Sequence, residues 1–498
     1  MPFLKLFEND FTTLFPEAFL ALALLGLLIF GVVYSTSFAH DLPVLTRPMG
    51  WLSIQALGLA LLLVLWTPLP EASLLYGVLY HDLFTRWLKV FLLLGAIGSL
   101  VASLAYLRGE AVNAFEYFIL ILLATLGLSL IVSANDLLSM YLAIELQSLS
   151  LYLLAAFKKN SAFSTEAGLK YFILGAFSSG LLLFGSSLIY GFTGTTNFED
   201  LALLSTGLYG TSTSLSQGVV VGLTFVGAGL LFKMAAAPFH MWSPDVYEGA
   251  PTSASAFFAI VPKVAIFGLV VKIYFYALYD FMDAWQPLFL LASFGSMVVG
   301  AFGALQQRKI KRLLAYSSIG HVGYMLIGVA TGTLEGLQGL VLYLGLYMVM
   351  SLNVWTVLLS LTFQDREGRA TYLTDLTSLS KSNPLLALTL MLTMFSMSGM
   401  PPLAGFCAKM YIFFSAMEAS LYTLGLLGVL TSCVGAFYYM RLVKVIFFEK
   451  AASRSLFSPL DREKSLLLGT STFFLALFFV HPGPFLVLIH RMVLSLSF

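Results

Sequence analysis

Apolar runs of about twenty residues recur along the chain, each closed by a short polar stretch. A helical run of that length crosses a hydrocarbon core of about 30 Å, so the pattern predicts transmembrane helices. Fourteen spans can be drawn: 13–34, 50–67, 87–107, 114–132, 137–157, 166–192, 217–240, 252–276, 285–305, 312–331, 336–362, 384–417, 420–446 and 465–488. The seventh carries Pro238 near its end. The twelfth is long and interrupted by Gly399, Pro401, Pro402 and Gly405. Proline removes a helical hydrogen bond, so both are expected to be broken helices. The fold class is therefore an all-α polytopic membrane protein.

The polar connections test the count. Numbered in order, the odd ones carry Arg47, Arg108, Lys158, Lys159, Arg308, Lys309, Lys311, Arg312, Arg366, Arg369, Lys381, Lys444, Lys450, Arg454, Arg462 and Lys464. The even ones carry little beyond Arg86 and Lys89, and show Glu199, Asp200, Asp280, Asp283, Glu335 and Glu418 instead. This alternation follows the positive-inside bias, and a missed or invented span in the middle would scramble it. It puts the odd connections in the matrix or cytoplasm and both termini on the opposite side. The connections, those around 364–382 and 447–464 included, leave no room for a nucleotide-binding domain. No G-x-G-x-x-G or P-loop pattern occurs.

The whole chain, 1–498, reads as a single transmembrane domain with an internal repeat. Residues 1–113 hold helices 1–3, 114–276 a first five-helix unit (helices 4–8), and 285–446 a second (helices 9–13). Helix 14 follows at 465–488. An odd number of helices per unit makes the second enter from the other side, an inverted repeat. In each unit the fourth helix is broken and carries a lysine: Lys233 with Pro238, and Lys409 after Pro401 and Pro402. The offset from Lys233 to Lys409 equals that from Glu145 to His321.

Composition agrees with the pattern. Of 498 residues, 59% are hydrophobic and only 10% charged, against about 25% charged in soluble domains. The net charge of +1 gives no reason to invoke nucleic acid. The two cysteines, Cys407 and Cys433, lie in apolar segments and cannot hold an iron–sulfur cluster by themselves. The N-terminus lacks a basic region followed by a cleavage site, so no signal or transit peptide is expected.

Candidate chemistry lies in the ionisable groups inside the spans. A charge at the bilayer centre costs at least ~2.5–3.5 kcal/mol, so such residues need a purpose. Glu145 sits about nine residues into span 5, ~12 Å along the helix. It is either a structural ion-pair member or a group that tunes a lysine elsewhere in the bundle. Lys233 and Lys263 lie deep in spans 7 and 8, where snorkelling to water is difficult. Lys409 follows the break in span 12, where freed backbone groups recruit water; a static ion pair is the alternative. Lys170 is about one turn into span 6, and snorkelling competes with a proton role there. His321 is either a satisfied hydrogen-bonding group or a relay with a suitable titration range. His240, beside Trp242, is expected at the interface. Asp136 is expected to N-cap span 5. No combination suggests a metal site or a nucleophile–base pair.

Several runs carry a resemblance: 135–149 around Glu145, 166–180 around Lys170, 233–249 from Lys233 to Gly249, 311–324 around His321, and 394–409 ending at Lys409. They resemble the chain 2 family of proton-pumping NADH:ubiquinone oxidoreductase (respiratory complex I), most of all its plant and algal mitochondrial form. The resemblance covers nearly the whole chain. It implies an antiporter-like membrane-arm subunit with fourteen helices and two inverted five-helix repeats. It implies a proton pathway through Glu145, Lys170, Lys233, Lys263, His321 and Lys409. It also implies that the chain binds no cofactor, while NAD, FMN, iron–sulfur clusters and ubiquinone belong to partner subunits: other membrane-arm subunits and a peripheral redox arm, with lipids around. The mitochondrial inner membrane is the implied location. A subunit of a cation/proton exchanger shares the same helices and lysines, and a spacer that moves nothing would share the helices.

Overall fold

Unpaired backbone groups are not tolerated in hydrocarbon, so a chain this apolar must close its hydrogen bonds within helices. The structure, a computed structural model, describes residues 2–34, 46–67, 72–110, 114–208, 214–364, 368–449 and 457–496, and is almost wholly helical. The chain opens with α1 (Pro2–Tyr34) and α2 (Thr46–Trp66), then a hairpin of β1 (Ala72–Leu74) and β2 (Leu79–His81). Next come α3 (Leu83–Gly109), α4 (Glu116–Ser133), α5 (Leu137–Ala155), α6 (Ala162–Thr193) and the short α7 (Phe198–Leu208). A broken segment follows, α8 (Ser214–Met234) and α9 (Trp242–Gly249), leading to α10 (Thr252–Val271), which runs on as a π-helical turn at Lys272–Ala277. Then come α11 (Met282–Ala304), α12 (Ile310–Ala330), α13 (Leu334–Ser360) and the one-turn α14 (Leu379–Ser382). The chain closes with α15 (Pro384–Ser398), α16 (Ala404–Glu418), α17 (Tyr422–Phe447), α18 (Arg462–Leu477) and α19 (Gly483–Leu494).

Twelve helices among the described residues are long and apolar enough to cross a membrane. The others that fall on expected spans are two broken pairs, α15 with α16 and α18 with α19. The first is the expected interruption of the twelfth span. The second is new: the fourteenth span is not continuous but parts between Leu477 and Gly483. Span 7 also stops earlier than expected, at Met234 rather than near 240. Arg86 and Lys89 lie inside α3, which starts before the expected boundary, and Lys89 is buried. Arg366, Lys450 and Arg454 lie outside the described residues. Asp136 caps α5 as expected, its carboxylate accepting the Leu138 N–H at 2.7 Å.

Burial sorts the helices. α10 is buried along its length and α12 and α13 nearly so, whereas α1 and α6 expose most of their apolar surface. Without a hydrophobic drive between helices in lipid, close approach rests on small residues. At the α6–α8 crossing, a Cβ on Gly185 would sit 2.7 Å from the Gly222 carbonyl oxygen. At the α11–α12 crossing, a Cβ on Gly300 would sit 2.5 Å from the Gly320 nitrogen. α6 thus packs backbone-close against α8, and α11 against α12. Serines along the spans mostly bond back to carbonyls three or four residues earlier, as at Ser148, Ser178 and Ser317, so they add no unpaired group to the core.

Candidate functional site

Lys233 lies in the last turn of α8, just before the break. The break leaves few loose ends. Ala236 N–H reaches the Leu231 carbonyl, Ala237 N–H donates to Ser296 Oγ at 2.8 Å, and Trp242 Nε1–H donates to the Phe232 carbonyl at 2.9 Å. Lys233 Nζ donates to Tyr152 Oη at 3.3 Å. Tyr152 and Glu145 share a face of α5, two turns apart. Glu145 Oε1 has no hydrogen-bond partner among the described residues. The hydrogen bond of Lys233 Nζ is to Tyr152 and not to Glu145. The hydroxyl of Tyr152 has room because α6 carries Gly175, where a Cβ would come within 2.0 Å of it.

Lys263 follows Pro262 in the centre of α10 and is 4% exposed. Its Nζ donates to Tyr347 Oη at 3.0 Å and lies 4.8 Å from the centroid of that ring. The Tyr347 ring stands 5.3 Å from that of His321. His321 is buried on α12 with both nitrogens on tyrosine hydroxyls: Nδ1 with Tyr343 at 2.7 Å and Nε2 with Tyr439 at 3.0 Å. In a neutral imidazole one of these nitrogens donates and the other accepts. Lys409, 7% exposed on α16, donates to the Ser398 carbonyl at 2.8 Å and lies 5.1 Å from the Tyr324 ring. Ser398 is the last residue of α15, so the carbonyl freed by the break binds the lysine itself. Gly399 closes that turn at φ +86°, and a Cβ there would stand 2.9 Å from Lys409 Cδ. His321, Tyr324, Lys409, Tyr438 and Tyr439 line a cavity of about 10 Å³ open to the centre of a water-sized sphere, room for roughly one water.

The matches to known proteins agree along the chain. The family described as NADH:quinone oxidoreductase/Mrp antiporter, transmembrane, matches residues 134–435. NADH-ubiquinone oxidoreductase chain 2 of Marchantia polymorpha is 51% identical, over 99% of this chain and 100% of its own length. The chain belongs to the NADH-ubiquinone oxidoreductase chain 2 family. The chain 2 protein of Arabidopsis thaliana is 47% identical over 98% of this chain and 97% of its own. A chain of respiratory complex I from Thermus thermophilus, solved with bound aureothin, superposes with a TM-score of 0.79 at 30% identity, covering 95% of this chain and 98% of that one.

Set against the residues singled out in this chain 2 family member, the geometry is uneven. Lys263, His321 and Lys409 join one buried group, and Lys233 with Glu145 forms a second around Tyr152. Lys170 stands apart: it pairs with Glu166 at 2.8 Å and Asp245 at 3.0 Å on a half-exposed face. His240 is 7% exposed. The sequence reading missed the tyrosines. Tyr343 and Tyr347, one turn apart in an apolar span, and the adjacent Tyr438 and Tyr439 were the available signal, because a buried phenol needs a partner.

A cleft of about 470 Å³ opens at the N-terminal end of α10, lined by Glu110, Lys158, Glu248, Lys309, Lys311 and Arg369 among others. Glu110 accepts from Arg369 Nε at 2.7 Å and from Lys158. Burial alone would raise its carboxyl, but the bonds and charges of Lys158 and Arg369 outweigh that and hold it below the ordinary carboxylate range. Among the described residues, no group of three or more His, Cys, Asp or Glu could hold a metal ion.

Proposed function

We propose that this chain is the antiporter-like, proton-translocating membrane-arm subunit of an H+-translocating NADH:ubiquinone oxidoreductase. The family membership over the full length supports this. The observation that carries the proton role is the buried series Lys263–Tyr347, His321 between Tyr343 and Tyr439, and Lys409 on Ser398. Three ionisable groups at such depth, each on a hydroxyl or carbonyl, suit transfer better than static support. Redox groups, flavin and iron–sulfur clusters sit on partner subunits, and this chain is a multi-pass protein of an inner membrane. The basic connections face the matrix or cytoplasm, and both termini face away from it. The chain crosses fourteen times, counting α15 with α16 and α18 with α19 as one broken crossing each.

In the mechanism, two inverted units run over 114–276 and 285–446. Lys233 lies before the break of its unit and Lys409 after the break of the other. Redox work elsewhere changes the charge or hydration near Glu145. While Glu145 is ionised, its field holds the Lys233 ammonium. When that field is withdrawn, Lys233 gives its proton toward Lys263, and the tyrosines and His321 carry it on to Lys409. Protons reach α10 through the cleft beside Glu110 and Lys311. Lys170 serves the surface ion pairs around Asp245 and has the weakest claim to the path.

The test is purification in mild detergent followed by functional assay. Flavin- and iron–sulfur-bearing partners should accompany the chain, and Lys233→Ala in the assembled complex should lower protons moved per NADH. Sodium flux by the chain without an NADH-oxidising partner would assign it to an exchanger instead.

A further inference from the structure

A second set of buried ionisable groups lies at the opposite end of α10 from the basic cleft. Lys272 begins the π-helical turn, is 4% exposed, and its Nζ has no hydrogen-bond partner among the described residues. His81, at the end of β2, is 2% exposed, and neither ring nitrogen has a partner. Both feel the charge of Lys89, and Lys272 also feels that of Asp82. Behind them Lys89 on α3 pairs with Glu17 on α1 at 2.5 Å, both buried. Asp82 is buried too, and caps α3 by accepting the Thr85 N–H at 2.7 Å. Arg86 is the remaining cation near His81, and Tyr276 stands beside Glu199, Tyr80 and Asp82.

Two buried polar groups without partners at one place call for an explanation. Ordered water is the ordinary one in a polar site. The helix also changes from α to π at Lys272, a local irregularity that recurs at functional sites. The site is kept in place. Asn135 and Asn197 both donate to the Gly77 carbonyl in the hairpin turn, at 3.1 and 2.9 Å. Burial, with the charges of Lys89, Arg86 and Lys272, pushes the His81 imidazolium down to about 3, so the ring stays neutral. A neutral imidazole accepts a proton on one nitrogen and releases one from the other without holding charge.

We propose that Lys272, His81 and Asp82 form a hydrated proton-release site at this end of α10, a branch that leaves the axis at Lys263 rather than at Lys409. Nine residues separate the two lysines, about 14 Å along the helix, and place them on opposite faces. The step runs from Lys272 Nζ through water to a His81 nitrogen or the Asp82 carboxylate, and from there to water at the hairpin. One proton enters and one leaves at each group.

This site depends on the proton path through Lys263 proposed above. The test compares Lys272→Arg with Lys263→Arg in assembled complex within sealed vesicles. Arginine keeps the positive charge but does not give up its proton. Lys272→Arg should assemble and reduce quinone with uncoupler present, yet show a loss of protons moved per NADH. His81→Phe should show a smaller loss. Wild-type pumping in Lys272→Arg with a loss in Lys263→Arg overturns the release site and leaves the axis standing. Wild-type pumping in both overturns the axis and the branch with it. If Lys272→Arg fails to assemble, wild-type pumping in both Asp82→Asn and His81→Phe overturns the site.

Discussion

Lys233, Lys263 and His321 each rest on a tyrosine hydroxyl. Removing one hydroxyl leaves a buried group unpaired, at about 1–3 kcal/mol. Tyr343→Phe should therefore lower the thermal midpoint of the complex and the protons moved per NADH, while quinone reduction with uncoupler persists. Unchanged values for both would show that His321 Nδ1 does not need that partner. Gly175→Ala gives a sharper probe. Its Cβ would meet the Tyr152 hydroxyl at 2.0 Å, so Tyr152 must leave Lys233 and pumping should fall. Gly180→Ala, on the same helix with nothing within 4 Å, should leave pumping unchanged. Titration of vesicle acidification separates the two variants.

At the scale of elements, the cleft end of the bundle is tied by Glu110, which joins the end of α3 to Lys158 after α5 and to Arg369. Its carboxyl lies below the ordinary range in the folded chain. The folded state therefore binds fewer protons than the unfolded one in acid. The stabilisation is complete above the unfolded value, about 4.3, and fades as pH falls through the lower folded value. Glu110→Gln should lower the thermal midpoint at neutral pH and flatten its decline below about pH 5. A variant with the wild-type acid profile would contradict this. Much at this scale was legible in the sequence. Apolar length gave the long helices, and Gly399, Pro401 and Pro402 marked the break before Lys409. The break between α18 and α19 was not read, because Pro482 and Pro484 sit near the end of an otherwise continuous apolar run. The hairpin at 72–81 lies in the connection 68–86, where Leu74, Leu75, Val78 and Leu79 carry no turn signal beyond Gly77. The partners of the breaks, such as Ser296 for Ala237, come from distant helices and leave no local mark.

For the whole molecule, the most buried helices are α10, α12 and α13, and they bring Lys263, His321, Tyr343 and Tyr347 together. The lysines and the histidine stood out in sequence as charges in apolar runs. Their order could be guessed from span number, but the tyrosines between them, and the isolation of Lys170 among surface ion pairs, depend on packing between non-neighbouring helices. The central claim is that Lys263 carries a proton and does more than hold a charge. The most direct measurement is protons moved per NADH oxidised by the assembled complex in sealed vesicles carrying Lys263→Arg. The account predicts a loss of protons per NADH with uncoupled quinone reduction retained. A wild-type ratio would contradict it.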